Sequence, residues 1–167
     1  MEHGPRRHDD ANAEIGPAPA GRVVSFFEAR RRRLGQPVSV LVGNGDPQLD
    51  AVLVGCIEAS LAPGRIVRSR ILSDARLLFE AAVEERPDLI VLTPLVTGFP
   101  RTGGTHAADV AEWIRRLTEE YDCAVIYIHP RADAATAAAA ILGAGATALL
   151  GLPVLPAELM RAVRDVF

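Results

Sequence analysis

The chain has 167 residues, of which 49% are hydrophobic, 23% charged and only 5% aromatic; this suits one folded unit with an extension and a mostly aliphatic core. No apolar run reaches the roughly 18 residues of a membrane span, and the polar N-terminus has no secretory-signal stretch, so a cytoplasmic location is expected. The net charge of −3 is uneven, because residues 1–36 hold seven arginines against five acids and the rest holds eleven against sixteen; so acidic a body excludes a nucleic-acid surface by this chain alone.

All 18 basic residues are arginine, which removes any chemistry that needs a lysine amine. Residues 1–21 mix Pro, Gly, Ala, His and charges without an apolar period, and such a stretch cannot bury enough surface to offset chain entropy. Disorder is expected there. In Arg22–Leu34 (RVVSFFEARRRRL), Val23, Val24, Phe26 and Phe27 precede an arginine block, and Gly35 and Pro37 supply a stop. This reads as a short Arg-rich amphipathic helix that covers an edge of the domain or docks on a partner or an anionic surface. Residues 1–36 are therefore assigned to a tail and residues 37–167 to the domain.

From Pro37 onward strands and helices alternate. Val38–Val42 is a β-branched strand, β1, and Gln48–Leu61 has helical spacing, α1. Arg65–Ile71 sets Ile66, Val67 and Ile71 among arginines as β2, and Asp74 can cap a helix α2 over Ala75–Glu85, which Pro87 follows. Asp88–Thr93 is β3. A long Pro/Gly/Thr loop leads to α3 over about Thr105–Glu120, then Ala124–His129 is β4 and Asp133–Gly143 is α4. Thr147–Leu150 is β5, and Pro156–Val166 is α5 with Leu159, Val163 and Val166 on one face. Near-continuous apolar strands between helices imply a parallel sheet covered on both sides. With right-handed crossovers, the expected fold is α/β, doubly wound, with five helices around five strands in the order 2-1-3-4-5. Cys56 and Cys123 lie far apart in apolar segments, without a CxxC pair, and read as buried thiols.

In such a fold ligands bind at the carboxyl ends of the strands. Four stretches there, VLVGNGDP (40–47), PDLIVLT (87–93) with FPRTGG (99–104), AVIYIHP (124–130) and GATALLGLPVLPAELMRAV (145–163), resemble response-regulator receiver domains of the CheY-like family in order and spacing. The resemblance covers residues 37–167. It implies an acidic pair after β1 for Mg²⁺, a phosphate-accepting Asp at the end of β3, a Ser/Thr after β4 and a Lys–Pro after β5. At the matching places stand Asn44 and Gly45, Thr93, His129, and Leu152 before Pro153. The expectation is a degenerate pseudo-receiver with no catalytic residue, since a neutral hydroxyl at Thr93 is a far poorer nucleophile than a carboxylate. Pro153 marks the family's turn, where a cis bond before it is expected. The loop after β3 is about three residues longer than the family's if Pro100 and Gly104 match its Pro-x-x-x-Gly element.

The residual polar positions are Asp46 and His106. Asp46 reads as the cap of α1 beside Pro47, and one carboxylate alone makes a poor Mg²⁺ site. His106, His129 and Asp46 lack metal-ligand spacing, so no metal is expected. Gly43-Asn44-Gly45 lacks both nucleotide-loop signatures and reads as a tight turn, and no cofactor is implied. Trp113 at helical spacing from Leu117 reads as packing. The Ala-rich run Ala134–Ala140, with the family's frequent use of its α4-β5-α5 face, suggests a homodimer. The functional expectation is a phosphorylation-independent signalling adaptor that binds a protein partner and is not an enzyme. The alternative is a regulator that senses a small metabolite in the former phosphate pocket, lined by Leu152, Thr93 and His129. DNA binding by this chain alone is not expected, since no winged-helix or helix-turn-helix segment is read after α5.

Overall fold

The computed structural model describes residues 37–61, 63, 65–99, 105–130 and 134–167. The tail, its Arg-rich helix, and the Pro100 and Gly104 positions lie outside them. Five parallel strands, β1 (Val38–Gly43), β2 (Val67–Leu72), β3 (Leu89–Leu92), β4 (Ala124–Pro130) and β5 (Ala148–Leu152), form one sheet in the order β2-β1-β3-β4-β5. The helices are α1 (Pro47–Ser60), α2 (Ala75–Glu85), α3 (His106–Tyr121), α4 (Ala134–Gly143) and α5 (Pro156–Val166). The doubly wound expectation holds.

Side-chain alternation divides the core into two layers, because successive strand residues point to opposite faces. Val38, Val40 and Val42 of β1, with Leu89 and Val91 of β3 and Ile126 and Ile128 of β4, pack beneath α1 and α5. Leu41, Ile90, Leu92, Val125 and Tyr127 face the other way, among residues of α2, α3 and α4. β1, β3 and β4 are covered on both faces, which is why their sequences read as unbroken apolar runs.

Helix starts follow their caps. The Asp46 side chain accepts from Gln48 N at 2.9 Å with Pro47 in the first turn, and Asp74 accepts from Arg76 N and Leu77 N at 2.8 and 3.2 Å. β2 departs from expectation. Ile66 lies outside the strand and is 62% exposed, and Arg68 through Ile71 are exposed too. As the edge strand, β2 pairs only with β1, so its apolar residues are less enclosed than those of the inner strands. Cys56 and Cys123 are buried free thiols, and burial pushes the Cys56 thiol pKa up. Trp113 is buried in the α2–α3 seam, tilted against Phe79 and edge-on to Phe99.

Candidate functional site at the carboxyl end of the sheet

The residues singled out in the sequence gather at one end of the sheet but separate into two groups, and strand parity is the cause. Thr93 lies two residues past Val91, which packs on the α1/α5 side, whereas His129 lies two past Tyr127, which packs on the α2–α4 side. Leu152 belongs to the α1/α5 layer.

The first group is a closed hydrogen-bond network. Asn44 is 2% exposed and Thr93 is fully buried. The Thr93 hydroxyl donates to Asn44 Oδ1 at 2.9 Å, and Asn44 Nδ2 donates to the Asp46 carbonyl at 2.6 Å and to Asp50 Oδ1 at 2.7 Å. Thr93 Oγ1 also accepts from Leu95 N at 3.3 Å. Among the described residues no buried side-chain polar atom lacks a partner, so the network is complete without a ligand.

The loop after β3 seals it. A Cβ built on Gly45 would overlap the Leu95 carbonyl oxygen, so a side chain at 45 cannot enter unless that backbone moves. Farther along, Thr97 N donates to the Ser73 carbonyl at 2.9 Å and Ala75 N to the Thr97 carbonyl at 2.8 Å, tying the loop to the start of α2. Gly98 follows at φ 77°, where a Cβ would meet Asp74 Oδ2 at 2.8 Å. Only glycine combines that backbone with that approach.

The second group borders a pocket of about 390 Å³. Thr105, His106 and Ala107 line it from the start of α3, Tyr127 and His129 from β4, and Ala137 from α4. Thr93 and Leu152 do not. His129 is 5% exposed, and its Nδ1 lies 2.6 Å from the Pro130 carbonyl oxygen. A carbonyl only accepts, so Nδ1 is the donor, and in the neutral ring Nε2 is the acceptor. The Tyr127 ring stacks against His129 with centroids 6.5 Å apart and planes 18° from parallel, and burial pushes its phenol pKa up to about 12. The bond between Leu152 and Pro153 is cis.

Asp46 stays with the first group and His106 with the second. Among the described residues no three His, Cys, Asp or Glu side chains come together as a metal set. Sequence reasoning missed Asp50, Leu95 and Tyr127. The last was within reach, because it precedes His129 by two on a strand and must share its face. Leu95 was not, since its contribution is a backbone carbonyl.

No family model matches the chain, and no curated protein matches it; the similarity is structural. A response regulator from Thermotoga maritima superposes with a TM-score of 0.61 at 17% identity, covering 78% of this chain and 98% of that one. The receiver domain of NtrX from Brucella abortus gives 0.60 at 15% identity, over 76% and 96%. A LuxR-family DNA-binding response regulator from Staphylococcus aureus gives 0.59 at 12%, over 77% and 98%. Residues 37–167 thus carry the fold of response-regulator receiver domains.

Proposed function

We propose that the chain is a phosphorylation-independent signalling adaptor on a divergent receiver-like domain, working by contact with a protein partner and not as an enzyme. The observation that carries this reading is the buried Asn44–Thr93 pair, tied to the partly exposed Asp50 and close to the Leu95 carbonyl. An acyl phosphate needs a carboxylate nucleophile, and Mg²⁺ needs several oxygen ligands around an open position. Here the residue after β3 is a buried neutral hydroxyl already donating to Asn44. The neighbouring carboxylates are engaged as well, Asp46 in capping α1 and Asp50 with Asn44. Leu152 puts an apolar side chain where the resemblance implies a cation.

For partner contact, Leu142 on α4 and Leu155 before α5 are 49% and 47% exposed, on either side of the half-exposed edge strand β5. That α4-β5-α5 face supports a homodimer or a protein partner. Among the described residues no helix is long and apolar enough to cross a membrane, which accords with a cytoplasmic site of action. The test is incubation with acetyl phosphate, or beryllofluoride, plus Mg²⁺. Intact mass and melting temperature are expected to stay unchanged, and a phospho-adduct or a Mg²⁺-dependent stabilisation would sink the reading. A second reading, a regulator that senses a small metabolite, draws support from the pocket beside His129.

A further inference from the structure

The pocket beside β4 has features that the adaptor reading does not use. Its volume of about 390 Å³ lies within the span of small-molecule sites, and it opens at strand carboxyl ends, where doubly wound folds take their ligands. Two buried residues that line it carry polar atoms with no hydrogen-bond partner among the described residues. Tyr127 is 3% exposed and lines the pocket. Its hydroxyl makes no hydrogen bond among the described residues, yet no fully buried side-chain polar atom there lacks a partner; the hydroxyl is therefore reached by solvent, through the pocket. His129 Nε2 likewise has no partner among the described residues, the 5% exposed ring having Nδ1 engaged there.

The third element is the start of α3, a helix of 16 residues. The Thr105 side chain caps Ala108 N at 3.3 Å, and the Thr105 carbonyl takes Ala108 N and Asp109 N. The His106 and Ala107 amides have no acceptor among the described residues, and both residues line the pocket, where the helix dipole favours an acceptor carrying negative charge. Asp109 in the same turn is buried and engaged. The lining thus brings together the first turn of α3, the Tyr127 phenol and the His129 ring, the two rings near parallel, with Ala107 and Ala137 beside them.

We propose that this pocket binds a small planar hydroxyaryl carboxylate. The carboxylate sits at the His106 and Ala107 amides, the ring lies against Tyr127 and His129, and the hydroxyl donates to His129 Nε2. The Tyr127 phenol stays protonated at neutral pH and donates to the ligand. Such binding would give the domain an input that needs no phosphoryl group.

The probe is 4-hydroxybenzoate, titrated into the full chain by calorimetry and by backbone amide NMR. Saturable binding is expected to shift the amides of Thr105, His106, Ala107 and His129, and phenol and benzoate, each lacking one polar group, should bind at least about tenfold more weakly. Tyr127→Phe, which removes one oxygen, should keep the fold and weaken binding about tenfold; Ala137→Leu should fill the pocket and abolish binding. If Ala137→Leu does not fold, Tyr127→Phe and the two analogues still decide. No binding at millimolar probe, shifts elsewhere, equal affinity for all three compounds, or inorganic phosphate matching the probe would each overturn the proposal. The adaptor reading would survive that failure, since it is tested by phosphoryl donors.

Discussion

Thr93 and Tyr127 show how one hydroxyl can be closed inside a network and another left open. Thr93→Val keeps the shape but removes the only donor that Asn44 Oδ1 has among the described residues. A buried acceptor left unpaired costs about 1–3 kcal/mol, so urea denaturation should show that loss with an unchanged m-value. A cost near zero would mean water replaces the bond and the site is not sealed. Tyr127 makes a prediction at alkaline pH. Burial raises the folded phenol pKa to about 12, above the roughly 10 of an unfolded tyrosine. The stability this contributes is complete below the unfolded value and is lost as pH rises from there through the folded value. Wild type should therefore weaken more steeply above pH ~10 than Tyr127→Phe, as read by denaturation at stepped pH; identical slopes would mean that folding leaves the phenol's proton affinity unchanged.

At the scale of elements, the Asp74 carboxylate binds two amides at the start of α2, and the parallel bridge from Asp74 to Thr97 joins that start to the loop after β3. Asp74→Ala should cost about 1 kcal/mol through the lost cap, and hydrogen exchange should quicken at Arg76, Leu77 and also Thr97. If only α2 responds, the loop holds its place by other means. These elements also show what the sequence could tell. Asp46 with Pro47, and Asp74 ahead of Ala75, announced α1 and α2 because capping is local chemistry. β2 is read from its alternation to within two residues of its bounds, while the 62% exposure of Ile66 comes from its place beside the edge strand, which the pattern does not encode. The split between Thr93 and His129 is written in strand parity, yet the Leu95 carbonyl that closes on Gly45 is backbone, which leaves no residue-type signature.

Over the whole molecule, the strand order, both core layers and the five described helices lie within residues 37–167, and we propose that this span folds without the tail. Deleting residues 1–36 should leave a single cooperative melting transition. Light scattering on the same truncated chain should give twice the monomer mass; loss of the transition would make the tail part of the core, and a monomeric mass would remove the homodimer. One further consequence comes from the aromatic seam. Trp113, the chain's single tryptophan, touches Phe99 at 5.7 Å between centroids, and Phe99 touches His106 at the same separation. The molecule thus carries a built-in optical reporter: its indole emission reads events at the mouth of α3 through one intervening ring, free of background from any second indole and without an added dye.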